Sequence, residues 1–348
     1  MTEEYEFRKE VMDEIKGIIQ IEEDQDLIPI INAFWRQGAR SRTKMYRHPK
    51  KNAFYMVKQL KYINENHYND YITEEAVMHV VNKYAPDILP KLLSYGNEVL
   101  SKEKVFLIEG ISDAPNLQER MEKLEHKAIF TQDIAPALDI EFKFQDYFTK
   151  ERIEEIEREM HRLSGGKISS IPELKKEDCV RNASKAFSHY DPNGSLKKEA
   201  CSFLGYFFEN YLVLPEYKKV IQHDGYPSQN LITRLVDAGS IKLGPCLIQY
   251  GCTMGHPEVY FKMDNKPQTI RTAVGYILKQ TQIKADPDKL EAGLYTAFIY
   301  GNLRLIDLYK TMGEDTKLFE RAVHSQGAFF KKNDICGESF WRLLSKLK

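Results

Sequence analysis

The sequence predicts a mainly α-helical protein with two helical lobes joined near mid-chain and, at most, a few short strands around residues 239–262. Three observations support this fold class. Apolar residues recur at helical spacing, proline and glycine stand where helices should begin and end, and a glycine- and serine-rich segment lies near the middle. A chain of 348 residues, 42% of them hydrophobic, can bury a core in each lobe.

Amphipathic segments follow one another along the chain. Val11, Ile15 and Ile19 share one face of an acidic first helix. A helix is also predicted over residues 27–38, which carry an early proline and a late glycine. Residues 149–163 alternate in charge around one apolar stripe, which is typical of a surface helix. Further helices are predicted at 87–101, 116–130, 228–238, 267–283, 287–301, 303–312 and 315–330, and after Ser195.

The segment 164–177 is the predicted linker, because it combines glycine, serine and proline directly after a charged helix. It separates an N-terminal helical lobe, 1–163, from a C-terminal helical lobe, 178–348. The first lobe holds the acidic first helix and a basic loop. No repeat of solenoid length is visible.

Several protein classes are excluded by composition. The N-terminal residues MTEEYEFRKE are too acidic for a targeting peptide, and the most apolar window, 203–214, is shorter than a membrane-spanning helix. The 5 cysteines form no C-x-x-C pair, so neither a disulfide framework nor a zinc ribbon is indicated. We expect a cytoplasmic, reducing location and no membrane partner.

Charge is strongly segregated near the N-terminus. Residues 1–26 hold ten acids and three bases, a local charge of −7, whereas residues 27–64 hold nine bases and no acid, a charge of +9. Aromatic residues are interleaved with these cations. The predicted nucleic-acid-binding residues in this stretch are Arg36, Arg40, Arg42, Lys44, Arg47, Lys50 and Lys51, with Trp35 and Tyr46 as stacking residues.

Fixed cations bind phosphates and aromatic rings stack on unpaired bases, so this stretch favours RNA or single-stranded nucleic acid as the partner. Residues 38–52 are predicted to form the loop that carries most of these cations. Two other interpretations remain open. The cations can pair with the acidic first helix or an acidic protein, which would make the chain a protein-interaction module, or they can bind membrane headgroups or small phosphates.

A second basic segment, 259–285, contains Arg271 and Lys279 on one face of a predicted helix. Two basic segments from different halves suggest a groove between the lobes, with the acidic first helix as an arm that docks on a neighbouring subunit. This architecture and size resemble the RNA-coating nucleoproteins of negative-strand RNA viruses, which implies a viral, oligomeric, non-catalytic RNA-binding protein. No sequence motif supports the comparison.

Catalytic patterns are weak, so no catalytic residue, metal ligand or cofactor is predicted and an enzyme is the less favoured expectation. Glu75/His79, Glu122/His126 and Glu157/His161 have four-residue spacing, which suits surface ion pairs better than the Glu-x-x-His step of helical metal proteins. Arg120 and His126 have a spacing seen in some helical ribonucleases. A helical metal-dependent enzyme or nuclease is therefore the third hypothesis. No P-loop or dinucleotide-binding motif is present.

Overall fold

The structure is a computed structural model. It describes residues 6–22, 25–30, 41–60, 65–109, 117–191, 193–222, 241–281, 283–335 and 337–347. The chain divides into two compact units. The described residues of the first unit come from Met1–Pro115 and Thr149–Ser170, and those of the second from Asn116–Phe148, Ile171–Leu231 and Ile241–Lys348.

The first unit is built on strands with helices packed against them. Its strands are β1 (Ile28–Pro29), β2 (Ser41–Arg47), β3 (Phe54–Leu60), β4 (Lys91–Leu92) and β5 (Val105–Glu109). Its helices are α1 (Lys9–Ile19), α2 (Glu65–Tyr84), α3 (Glu98–Lys102) and α6 (Lys150–Leu163).

The five strands form one sheet in the order β1-β2-β3-β5-β4, and every neighbouring pair is antiparallel. Both faces of the central strands are covered. Val57 and Leu107 pack into a core with Val11 and Ile15 of α1, while on the opposite face the ring of Phe106 stacks on Tyr71 of α2 at 4.5 Å. Burial on both faces explains why β5 reads as a continuous apolar run.

The second unit is mainly helical. Its helices are α4 (Leu117–Glu122), α5 (Ala135–Tyr147), α7 (Lys176–Ser188), α8 (Ser195–Phe207), α9 (Cys246–Gly255), α10 (Pro257–Tyr260), α11 (Lys266–Thr281), α12 (Pro287–Thr311), α13 (Lys317–Lys332) and α14 (Gly337–Leu344). Strands β6 (Lys218–Gln222) and β7 (Ile241–Pro245) form an antiparallel pair in which Gln222 lies opposite Ile241.

Glycine lets the two most buried helices of the second unit approach closely. A Cβ at Gly251 of α9 would lie 2.3 Å from the Cβ of Ala297 in α12, and a Cβ at Gly255 would lie 2.8 Å from the Cα of Phe298. Only a residue without a Cβ fits at either position. The backbones of α9 and α12 are therefore in direct contact over about one turn.

The predicted fold class, mainly α with a few short strands around 239–262, is wrong. The protein is α+β, because the basic stretch contributes β1, β2 and β3 to a five-stranded sheet. Residues 28–29 begin the sheet where a helix over 27–38 is predicted, and residues 41–47 form a strand inside the predicted loop. Short runs of this kind fit a helix or a strand equally well, and here the antiparallel pairing of β1 with β2 and of β2 with β3 decides between them.

Other expectations fare differently. The helix predicted at 149–163 is confirmed as α6, and the Thr149 hydroxyl accepts a hydrogen bond from the Arg152 backbone N–H at its start. The two helices predicted at 287–301 and 303–312 are one continuous helix, α12. Residues 228–238 lie outside the described residues. The division into lobes at 164–177 stays a prediction.

Among the described residues, no helix combines the length and the apolar character needed to span a bilayer.

Candidate functional site

A buried ion pair joins the sheet of the first unit to its longest helix. Lys58 of β3 donates from Nζ to both carboxylate oxygens of Glu74 in α2, at 2.8 Å each. The side chains are 13% and 3% exposed, respectively. The Lys58 ammonium also lies 6.0 Å from the centre of the Phe106 ring. This pair is the most deeply buried salt bridge of the described residues in the first unit.

The local sequence explains why these two side chains meet. Lys58 lies directly opposite Phe106 in the β3–β5 register, so the two side chains share one face of the sheet. Tyr71 and Glu74 are three residues apart on α2 and therefore share one helix face. The stacking of Tyr71 on Phe106 fixes that helix face over the sheet, and this places Glu74 above Lys58.

Burying an ion pair removes two charges from water, and this desolvation usually offsets most of the attraction between them. An apolar pair of similar size would stabilise the same contact as well or better. The Lys58–Glu74 pair is therefore better explained by a need for a fixed ammonium at this point of the sheet than by stability. A positioned ammonium can bind an anionic group such as a phosphate.

A second polar group is centred on His79 of α2, which is partly buried. The ring of His79 stacks on Tyr95 at 3.7 Å. The Tyr95 hydroxyl donates to Glu159, and Arg162 donates to both Tyr95 and Glu159. Burial lowers the pKa of His79, so the ring is neutral at physiological pH. This group connects α6 to α2 within the first unit.

The predicted nucleic-acid-binding residues are spread over several environments. Arg42, Lys44, Tyr46 and Arg47 lie on β2, and Lys50 and Lys51 lie in the turn before β3. Trp35, Arg36 and Arg40 lie outside the described residues. In the second unit, Arg271 and Lys279 lie on α11. The structure brings four of the predicted residues together on β2. The nucleic-acid-binding role of the individual residues stays a prediction.

Tyr46 and Lys50 have contacts within the first unit. Tyr46 is a core residue, 7% exposed, and burial raises the pKa of its hydroxyl to about 12. The Lys50 ammonium donates to both carboxylate oxygens of Glu22 at 2.8 Å. In the second unit, the Arg271 guanidinium lies 3.5 Å from the Glu291 carboxylate.

The three Glu–His pairs do not converge on a metal. Within the part of the chain that the structure describes, no three His, Cys, Asp or Glu side chains are grouped so as to hold an ion. Glu75 of the first pair is 4% exposed, and burial raises the pKa of its carboxyl. His79 of the same pair is held by Tyr95 instead.

No family model and no curated protein matches the chain. Among solved structures, Plasmodium vivax ethanolamine kinase is similar over 91% of this chain and 83% of that one, with a TM-score of 0.50 and 10% sequence identity. The fold of this chain is similar to that of the ethanolamine kinase. The likeness at this identity concerns the fold alone.

Two further solved structures show a weaker similarity. One is an aminoglycoside 2′-phosphotransferase IIIa variant in complex with GDP, with a TM-score of 0.49, 12% identity, and coverage of 94% of this chain and 97% of that one. The other is a type I macrolide 2′-phosphotransferase, with a TM-score of 0.48, 7% identity, and coverage of 92% and 97%.

These findings correct the functional expectations. Three predictions are wrong: that the chain is a non-catalytic RNA-binding protein, that its main partner is RNA or single-stranded nucleic acid, and that it is a viral nucleoprotein that assembles through its acidic arm. The fold is similar to that of a kinase and differs from an all-α RNA-coating protein. The expectation that an enzyme is less favoured than a non-enzyme is wrong for the same reason. The physical cause is the sheet, because strand β2 holds Arg42, Lys44 and Arg47, which the loop at 38–52 was expected to present.

The sequence contains a signal for Lys58 that charge counting misses. Residues 55–58 read Tyr-Met-Val-Lys, three apolar residues followed by a lysine. Kinases carry their phosphate-contacting lysine in a strand with the pattern V-A-I-K, paired with a glutamate of the following helix. A test for that pattern would have separated Lys58 from the surface cations around it.

Proposed function

We propose that this chain is a kinase-like phosphotransferase that binds a nucleoside triphosphate, with Lys58 contacting its phosphates. The observation that carries the proposal is the buried Lys58–Glu74 ion pair between β3 and α2. In kinases the lysine of the third strand contacts the phosphates, and the glutamate of the helix that follows holds it in place. Lys58 likewise lies on the third strand in chain order, β3, and Glu74 lies on the helix that follows it, α2.

Phosphoryl transfer needs a residue that accepts the proton of the attacking group, and kinases take it from the pattern H-R-D-x-x-x-x-N. Directly after β6 the sequence reads His-Asp-Gly-Tyr-Pro-Ser-Gln-Asn over residues 223–230, which lie outside the described residues. It departs from the pattern: His223 directly precedes Asp224, and Asn230 follows Asp224 by six residues instead of five. Asp224 is our candidate for the proton acceptor.

Nucleotide binding is the first test. Addition of ATP should raise the melting temperature of the protein, because a ligand that binds only the folded state stabilises it. Lys58→Met should weaken ATP binding by about tenfold or more, since a charge-assisted hydrogen bond to phosphate is removed. Titration calorimetry measures both dissociation constants.

The matched control is Lys83→Met, which removes an exposed ion pair with Glu155 in the same unit. Its affinity for ATP should equal that of the unmodified protein. Equal affinity of the Lys58→Met and Lys83→Met variants would refute a phosphate-binding role for Lys58.

Transfer itself is tested with small hydroxyl- and amine-bearing acceptors, by following the loss of ATP and the appearance of phosphorylated product. Asp224→Asn should abolish transfer and leave ATP binding unchanged, because the proton acceptor acts only in the chemical step. A variant that transfers at the original rate would remove Asp224 from the proposed mechanism.

The cytoplasmic, reducing location is part of the same proposal. ATP is abundant there, and Cys179, Cys201, Cys246 and Cys252 are free thiols.

A further inference from the structure

A buried histidine organises the turn between β2 and β3 in the first unit. The backbone N–H of His48 donates to the Ala53 carbonyl at 2.9 Å, directly after the last residue pair of the two strands. The His48 side chain holds the residues in between. Its Nδ1 accepts the backbone N–H groups of Lys50 and Lys51, each at 3.0 Å. One imidazole lone pair therefore binds two consecutive N–H groups of the turn.

The tautomer and the charge of His48 follow from these contacts. A ring nitrogen that accepts hydrogen bonds carries no proton, so the ring is neutral and its proton is on Nε2. The residue is 4% exposed, and Nε2 is buried with no hydrogen-bond partner among the described residues. A positively charged ring would have a donor at both nitrogens and would find no acceptor among those residues at either.

The surroundings of His48 also oppose its protonation. Burial lowers the pKa of His48 from the usual value of 6.5, and the ammonium groups of Lys51 and Lys50 lower it further. The Lys50 ammonium donates to the carboxylate of Glu22, which lies after α1. On β3, the ring of Tyr55 is centred 6.4 Å from the His48 ring. Desolvation and like charge therefore act in the same direction.

We infer that His48 is an acid-sensitive switch, in which uptake of a proton at Nδ1 opens the β2–β3 turn. The proton and the two backbone N–H groups compete for one lone pair, so a protonated ring keeps neither hydrogen bond. The folded state binds this proton less tightly than the unfolded state does. The contribution of the turn to stability is complete above the unfolded pKa and is lost as pH falls through the folded pKa. The inference does not depend on the proposed function, because it concerns the turn alone.

Amide hydrogen exchange of the full chain, followed by NMR, tests the switch at neutral and at acidic pH. Protection of the Lys50 and Lys51 amides is corrected for the intrinsic exchange rate at each pH. It should fall by at least about threefold between about pH 7.5 and about pH 5, because protonation of His48 removes their acceptor. Protection that is equal at the two pH values would overturn the inference.

A variant pair separates His48 from other groups that titrate in this range. His48→Asn places a side-chain oxygen where Nδ1 lies, and this oxygen accepts the same N–H groups without taking up a proton. Protection of the two amides should then be equal at both pH values. His161→Asn is the matched control, because His161 is an exposed histidine of the same unit, and it should keep the pH dependence of the unmodified protein. A His48→Asn protein that retains this dependence would show that another group causes it.

Nitrogen NMR of the histidine rings gives a result that needs no variant. At neutral pH the His48 ring should carry its proton on Nε2, and protonation of Nδ1 should coincide with loss of protection at Lys50 and Lys51. A ring that takes up a proton at Nδ1 while both amides stay protected would overturn the inference, whether or not His48→Asn folds.

Discussion

The contribution of the Lys58–Glu74 ion pair to the free energy of unfolding depends on burial as well as on the distance between the two groups. Each charge is tolerated in the interior of the first unit because the other lies 2.8 Å away. Removal of one partner leaves a buried charge uncompensated, which costs far more than the pair contributes as a whole. Stability and nucleotide binding therefore respond differently to single and double substitutions, and this difference separates a functional pair from a structural one.

Lys58→Met alone should lower the free energy of unfolding by about 3–5 kcal/mol, because Glu74 remains buried without its partner. The double variant Lys58→Met/Glu74→Leu should recover most of this loss, and ATP binding should stay about tenfold weaker or more. Chemical denaturation and calorimetry measure the two properties. Recovery of ATP binding together with stability would show that the pair serves the structure only.

Glu141 makes stability depend on pH in the direction opposite to an ordinary salt-bridged acid. Burial raises its pKa above the usual value of 4.5, so the folded state holds the proton more tightly than the unfolded state. The contribution of Glu141 to stability is complete below the unfolded pKa and is lost as pH rises through the folded pKa.

Glu141→Gln should therefore raise the melting temperature at pH 8 relative to the unmodified protein and change it little near pH 4. Asp146→Asn is the control, because Asp146 is an exposed acid on the same helix. Melting curves across this pH range give the comparison. A melting temperature of Glu141→Gln that is lower at pH 8 would mean that the carboxylate is ionised and bound there.

At the level of elements, the helices of the second unit depend on glycine for their spacing. Gly251 and Gly255 lie one turn apart on α9, and both face α12 at distances that exclude a Cβ. Gly255 also fixes the helix end, since its carbonyl accepts hydrogen bonds from the side chains of Asn302 and Gln326. The close approach fixes the distance between α9 and α12.

Gly251→Ala should lower the free energy of unfolding by about 1–3 kcal/mol, because the added methyl group overlaps Ala297. Gly275→Ala on α11 is the matched control, since a Cβ there meets no atom within 4 Å. Alanine also has the higher helix propensity, so the control should be neutral or stabilised by up to about 1 kcal/mol. Equal effects of the two variants in urea denaturation would contradict the helix contact.

For the whole molecule, the reactivity of buried thiols measures how often the interior becomes accessible to solvent. Cys179 and Cys246 are completely buried, and burial raises the pKa of each thiol to about 12. A thiol of this kind is unreactive until it is exposed, because the thiolate is the reacting species.

Labelling of Cys179 and Cys246 by a disulfide reagent should therefore be negligible in the folded protein and should follow global unfolding in urea. Cys201 is partly exposed and serves as the internal reference that reacts under native conditions. Mass spectrometry of the labelled peptides assigns each site. Rapid labelling of Cys246 in the native protein would show that α9 opens locally.

The sequence by itself determined the features that depend on neighbours along the chain. The helix α6 follows from its cap at Thr149 and its apolar stripe. The absence of acidic residues from 27–64 is likewise a direct property of the sequence. Such features are set by helical periodicity and by side-chain chemistry, which a single chain displays directly. The pattern Tyr55 to Lys58 was equally visible, although its meaning depended on knowing that it forms a strand.

Only the tertiary structure decided the sheet and the candidate site. Residues 41–47 and 54–60 are strands because they pair with each other and with residues 105–109, a contact between segments far apart in the chain. The same pairing moves Lys58 from a run of surface charge into the interior, where Tyr71 and Phe106 bring Glu74 onto it. A net charge records how many cations a segment has, whereas burial decides what each of them can bind.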